Sequence, residues 1–214
     1  MNSGELKILI ADDHNVVRTG IIKSLSESFP GARFGEATNA AEILRLIDED
    51  RWDLVILDIN MPGRDGLDIL KEIKEYHHSI PVIMLSMYPE DQFGMRSIKA
   101  GASTYLTKET SSKELAEAIR KILSGGTYLT ESMGRIITDG LRNNHNKPEH
   151  ELLSNREYKV FLLIASGMAV SEIAAELSLS VKTISTYRSN ILKKMALKNN
   201  SEITHYAFRF NLVK

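Results

Sequence analysis

Three aspartates, a serine and a lysine stand where short apolar runs stop. Leu6 to Ala11 (LKILIA) runs into Asp12-Asp13, and Leu54 to Leu57 (LVIL) runs into Asp58. Val82 to Leu85 (VIML) runs into Ser86, and Thr104 to Thr107 (TYLT) runs into Lys108. Apolar runs of this length, separated by segments of helical period, read as buried strands of a parallel sheet. In an open α/β sheet the carboxyl ends of the strands share one edge, where ligands bind. The order of the chain therefore brings three carboxylates, a hydroxyl and an ammonium to one place.

Such a group can hold a divalent cation and a phosphoryl group. Mg²⁺ takes hard oxygen ligands in near-octahedral geometry, usually one or two carboxylates with several waters. Asp13 and Asp58 supply carboxylates, Asp12 positions a ligand water, and the carbonyl of Asn60 adds a neutral oxygen. Asp58 is the nucleophile of choice, because a carboxylate can form an acyl phosphate and split one difficult transfer into two easier ones. Lys108 counters charge on the transferred group, and the Ser86 hydroxyl donates to a phosphoryl oxygen.

The elements that position these residues follow from period and punctuation. Asn15 to Ser28 reads as a helix with Val17, Ile21, Ile22 and Leu25 at helical spacing, stopped by Phe29-Pro30-Gly31. A short strand over 32–37 and a helix over 40–48 come next, with Ile43, Leu44 and Ile47 inward. Trp52, before the third strand, is expected to pack. Met61 to Gly66 (MPGRDG) is turn chemistry, and further helices are expected at about 66–76, 90–100 and 112–123. Ser111-Ser112-Lys113-Glu114 opens the last of these as a capping box. Strand and helix in alternation predict a five-stranded, doubly wound parallel α/β domain.

This pattern resembles the receiver domain of two-component response regulators over roughly residues 5–124. The resemblance implies that Asp12 and Asp13 are the acidic pair, Asp58 the phosphoacceptor and Asn60 the residue whose carbonyl reaches the metal. It implies further that Ser86 and Tyr105 are the hydroxyl and aromatic switch positions and that Lys108 is the family's lysine. Two residues depart from the pattern: Glu109 stands where many receivers have proline, and Met87 stands where a small residue is common.

The chain has 214 residues, 43% of them hydrophobic, enough for a core in each of two domains. It has no cysteine, which excludes disulfides and thiolate metal sites. No apolar stretch approaches the roughly 18 residues of a membrane span, and the polar start has no signal-peptide layout. A cytoplasmic protein without membrane contact is expected. Charge is uneven: residues 1–124 hold 15 Lys/Arg against 20 Asp/Glu, a balance of −5, whereas residues 152–214 hold 9 against 4, a balance of +5. A basic end of this kind suits nucleic acid.

Ser124-Gly125-Gly126 closes the first pattern, and polar Asn143 to His150 reads as linker. The domain plan is thus 1–124, a linker over 125–150 with a short helix at 131–141, and 151–214. His77, His78, His145 and His150 lie in predicted loops without ligand spacing, while His14, just after the acidic pair, is placed either against the site or at an exposed helix start. From Leu152 onward the pattern is wholly helical. A short helix near 170–177, a tight Ser178-Leu179-Ser180 turn and a longer helix near 181–195 make a helix-turn-helix. A final helix near 201–210 follows. On the longer helix Ile184, Ile191 and Met195 form a core stripe with Tyr187 at its edge. Lys182, Ser185, Thr186, Ser189 and Lys193 line the opposite face, with Arg188 and Lys194 toward the flanks. Hydroxyls can approach base edges while the cations meet phosphates, although a solvated helix face shows the same stripe.

Leu153-Ser154-x-Arg156-Glu157, Glu172-Ile173-Ala174 and Leu179 to Ile184 (LSVKTI) are similar to the LuxR-type four-helix DNA-binding domain, and Ile191 to Met195 continues the match. Receiver and helical domain together resemble NarL-like response regulators. The resemblance implies a sensor histidine kinase as phosphodonor, Mg²⁺ as cofactor, double-stranded promoter DNA as target and a homodimer when phosphorylated. RNA polymerase is a further partner it allows, and His205 and Tyr206 would lie at the dimer contact. An aspartyl-phosphate phosphatase needs a second acid two residues after the nucleophile, where Asn60 stands. A constitutive or ligand-responsive regulator would have no use for the complete pocket, and a dinucleotide site lacks its Gly-rich turn.

Overall fold

The computed structural model describes residues 5–142 and 148–213, for 140–142 the backbone alone. The expected polar start at 1–4 and the linker stretch Asn143 to Lys147 lie outside the described residues. The chain divides into two compact units, Met1–Gly140 and Leu141–Lys214.

In the first unit, strands β1 (Lys7–Ala11), β2 (Arg33–Ala37), β3 (Leu54–Leu57), β4 (Val82–Ser86) and β5 (Thr104–Thr107) alternate with helices. The helices are α1 (Asn15–Ser28), α2 (Ala40–Glu49), α3 (Gly66–Tyr76), α4 (Glu90–Lys99) and α5 (Ser112–Leu123). The sheet is wholly parallel in the order β2-β1-β3-β4-β5. β1 and β3 pair Ile8 with Leu54 through Ala11 with Leu57, so Asp12 and Asp58 leave the sheet side by side. β3 and β4 are buried along their whole length, as expected of central strands covered on both faces. Ile8, Ile10, Ile56, Ile83 and Leu106 meet Leu25, Leu115 and Ile119 in one core. Trp52 is buried as expected; its ring fills the space above Gly35, and Nε1 donates to the Leu46 carbonyl at 2.8 Å.

Local chemistry fixes where the helices begin. The side chains of Asn39, Asp65 and Ser111 each accept a backbone N–H from the first turn that follows. A further helix, α6 (Glu131–Arg142), extends the unit beyond the expected receiver pattern. It begins on α4: Thr130 Oγ1 donates to Glu90 at 2.9 Å, and Met133 is fully buried over Gly94, where a Cβ would strike its sulfur.

The second unit carries a short 3₁₀ turn (Glu149–Leu152) and four helices: α7 (Asn155–Ala165), α8 (Val170–Glu176), α9 (Val181–Lys194) and α10 (Asn200–Arg209). Ser154 and Glu157 form a capping box on α7. α7 packs against α8, α9 and α10. Between α8 and α9 the backbone turns through Ser178 at φ 52°, and Ser180 caps α9 by accepting from Thr183 N at 3.0 Å. Among the described residues no helix is long and apolar enough to cross a membrane.

Candidate functional site

The ends of β1, β3 and β5 converge as their sequence order requires. Lys108 Nζ stands 2.6 Å from Asp12 Oδ2 and 2.8 Å from Asp58 Oδ2, and all three side chains are nearly closed to solvent. Asp12, Asp13, His14 and Asp58 offer ligand atoms that all lie within 4.8 Å of one another. Asp58 Oδ2 is taken by the lysine, whereas Asp58 Oδ1 is buried with no hydrogen-bond partner. A buried carboxylate oxygen left without a partner is costly unless something occupies it. The donor set, with its hard oxygens and one free buried acceptor, fits a divalent cation of the Mg²⁺ kind.

Electrostatics follow from this packing. Burial raises the Asp58 pKa; the Lys108 ammonium and the Asn60 backbone N–H oppose the rise, and the neighbouring Asp12 charge adds to it. For Lys108 burial works against the charged form, but Asp58 and Asp12 outweigh it and hold the pKa above its ordinary value. Asp58 is therefore a carboxylate whose charge depends on its cationic partners.

Several residues that support the site were not singled out in the sequence. Arg18, buried on α1, donates from Nη1 to the Asp12 carbonyl at 2.8 Å and from Nε to Glu36 at 3.1 Å, clamping the turn that carries the acidic pair. Gly66 lies against the strand end itself: a Cβ there would run into the Asp58 carbonyl and sit 2.7 Å from Ile59 Cα. Its glycine identity, two residues after Arg64 in a turn, was the available signal.

Ser86 is fully buried at the end of β4, and its Oγ accepts from Tyr88 N at 3.2 Å. Tyr105 is fully buried as well and points inward, with its hydroxyl donating to the Tyr88 carbonyl at 2.6 Å and also bonded to Ser86; burial pushes its pKa far up. The Tyr88 ring packs on Phe93 of α4 at 4.9 Å. Contacts thus run from Ser86 through Tyr88 and Phe93 to Gly94 and Met133 of α6. Met87 is 66% exposed, and the Lys108–Glu109 bond is trans.

In the second unit α9 presents the expected faces. Ile184, Ile191 and Met195 are buried, and Lys182, Ser185, Thr186, Ser189 and Lys193 are exposed. Thr186 and Ser189 back-bond to the carbonyls of Lys182 and Ser185 at 3.0 Å, which leaves their oxygens as acceptors. The flanking cations are engaged inside the unit: Arg188 Nε donates to Asn200 at 2.6 Å, and Lys194 pairs with Glu157 at 2.6 Å, holding that carboxyl below its usual range despite burial. Tyr206 turns into its own unit, donating to Glu149 at 2.9 Å and meeting Phe210 at 4.4 Å; its pKa is pushed up to about 12, chiefly by burial. His205 and Phe208 face outward instead.

Known proteins share both halves. Residues 8–120 match the response regulator receiver domain, and residues 151–207 match the bacterial regulatory proteins of the luxR family. The chain is 32% identical over 209 residues to the response regulator GacA of Pseudomonas syringae, covering 97% of this chain and 98% of GacA. It is 33% identical over 211 residues to the response regulator protein VraR of Staphylococcus aureus, covering 98% and 99%. Among solved structures it resembles RcsB of Salmonella enterica serovar Typhimurium bound to the rprA promoter with the phosphomimetic BeF₃⁻ (26% identity, TM-score 0.63, covering 95% of this chain and 98% of that one). A sheet edge with three carboxylates and a lysine, a helix-turn-helix later in the chain and full-length relatives of the same build agree: the chain belongs to the two-component response regulators that join a receiver domain to a LuxR-type helix-turn-helix domain.

Proposed function

We propose that this protein is a cytoplasmic, phosphorylation-controlled transcription regulator whose phosphoacceptor is Asp58. The reading takes 1–124 as the receiver, 125–150 as the linker and 151–214 as the DNA reader. The observation that carries it is the buried Asp58, with Oδ2 on Lys108 and Oδ1 free.

The free oxygen is the nucleophile. It attacks the phosphorus of a phosphohistidine on a sensor kinase; the P–N bond breaks, and the imidazole nitrogen leaves with its electron pair and takes up a proton. Lys108 already balances two carboxylates and steadies the oxygens of the incoming group. Mg²⁺, held by Asp13, Asp58 and the Asn60 carbonyl with Asp12 fixing a ligand water, would neutralise charge that three carboxylates and a phosphoryl group otherwise pile up. The protein takes part in its own phosphorylation and hydrolysis and turns over no other substrate.

Phosphorylation adds roughly −1.5 to −2 charges at one point. Ser86 lies at the head of the Ser86–Tyr88–Phe93 contacts, so new phosphoryl oxygens compete for its hydroxyl and disturb the seat of α4. Met133 and Thr130, docked on α4, pass that change to the linker. The output is a dimer whose exposed α9 faces enter successive major grooves, with Lys182 and Lys193 on phosphates and Ser185, Thr186 and Ser189 toward base edges. Arg188 and Lys194, with N–H donors beyond those on Asn200 and Glu157, reach phosphates from the flanks. The outward α10 residues His205 and Phe208 suit the dimer contact. RcsB is bound to promoter DNA in several solved structures, in keeping with this role.

Fluorescence anisotropy of the full chain on promoter fragments tests the reading. BeF₃⁻ with Mg²⁺ should tighten binding, with a negative salt slope from phosphate contacts. Equal tightening in Asp58→Ala would refute it.

A further inference from the structure

His14 stands beside the acidic pair, at the start of α1. It occupies the residue before α1, where a capping side chain is favoured, yet its ring makes no cap hydrogen bond. The imidazole is turned to the acidic pair instead, with Nδ1 2.7 Å from Asp13 Oδ1 and 3.2 Å from Asp12 Oδ1. Its backbone N–H also donates to Asp12 Oδ1 at 2.8 Å, which pins the ring's base beside the pocket.

We propose that His14 supplies a nitrogen ligand to the cation held by this cluster and so shifts the site's preference from Mg²⁺ toward Mn²⁺ and Co²⁺. The inference rests on the metal-assisted reading of Asp58. Neighbouring donors around an octahedral ion with bonds of about 2.1 Å are about 3.0 Å apart. Nδ1 lies 2.7 Å from Asp13 Oδ1, close to that value as well as within hydrogen-bond reach, so the ring and Asp13 can stand at adjacent corners of such a shell. Asp58, whose Oδ1 is buried without a hydrogen-bond partner, belongs to the same group of donors.

Coordination through Nδ1 needs the ring proton on Nε2. The side chain is 63% exposed, so water can carry the proton from one nitrogen to the other without a change in charge. Carboxylates and water suit Mg²⁺, whereas imidazole adds affinity for the later divalent ions of the first transition row. One nitrogen among oxygens tilts the site without excluding Mg²⁺.

The test is direct metal binding to the full-length protein without a phosphodonor. Mg²⁺, Mn²⁺ and Co²⁺ affinities are measured by calorimetry for the wild type, His14→Ala and Asp58→Ala, with pulsed EPR of the Mn²⁺ form. Wild type should show hyperfine coupling to one directly bound nitrogen, and His14→Ala should lose it. Mn²⁺ and Co²⁺ affinity should fall about tenfold or more in that variant, the scale seen when groups supporting a metal shell are removed, while Mg²⁺ affinity holds. Because the ring is largely exposed, the variant should fold as the wild type does. Bound Mn²⁺ without nitrogen coupling, or equal losses for all three ions, overturns the role of His14. Binding that survives Asp58→Ala unchanged, or no binding at all, instead removes the metal-assisted phosphoacceptor reading and the inference with it.

Discussion

Replacing Lys108 with methionine removes one charge while keeping an unbranched stem of similar length. The ammonium stands 2.6 and 2.8 Å from two carboxylates, and each of the three side chains is less than a tenth exposed. At an effective dielectric constant of ~20, each pair attracts with roughly 6 kcal/mol before desolvation is subtracted. Desolvation cancels much of that, and removing one partner of a buried pair costs about 3–5 kcal/mol. We expect Lys108→Met to lose about that much at neutral pH, measured by urea unfolding. The pH dependence has a definite sign. Burial already raises the Asp58 pKa, and loss of the lysine raises it further. A carboxyl whose folded pKa is raised contributes stability that is full below its unfolded value of about 3.9 and lost as pH rises through the folded one. The deficit of Lys108→Met should therefore be small near pH 4 and widen toward pH 8. A deficit below ~1 kcal/mol, the scale of exposed pairs, or one constant across this range would refute the buried-triad reasoning.

Three other perturbations probe the supports. Gly66→Ala should cost about 1–3 kcal/mol in thermal unfolding, because the added methyl presses on the Asp58–Ile59 backbone, and it should slow phosphorylation. Arg18→Gln should weaken Mg²⁺ binding in calorimetry by about tenfold or more, since it frees the turn bearing the acidic pair; an unchanged dissociation constant would show that the clamp is only structural. Gly94→Ala should unseat Met133, seen as faster amide exchange in residues 128–136 with Asp58 labelling intact.

The strands and the site were readable because each apolar run ends in the residue that does the chemistry, and parallel strands keep those ends together. The start of α5 was readable because Ser111 caps it through a contact with Glu114, three residues on. What stayed hidden depends on distant neighbours. Arg18 reads as a surface cation in a helix, and only the fold shows its guanidinium buried under Asp12. The ion pair of Lys194 with Glu157 spans 37 residues of sequence, so residue type and spacing do not announce it. Met133 in a polar stretch gives no sign that Gly94 leaves room for it. The inward setting of Tyr105 is a rotamer fixed by Tyr88, which residue type alone does not specify.

The most direct measurement maps the phosphoryl group itself. The protein is incubated with acetyl phosphate and Mg²⁺, the acyl phosphate is trapped by borohydride reduction, and peptides are sequenced by mass spectrometry. The account predicts one modified residue, Asp58, with labelling abolished in Asp58→Ala and dependent on the divalent ion. Label on another residue, or undiminished label in Asp58→Ala, would contradict it.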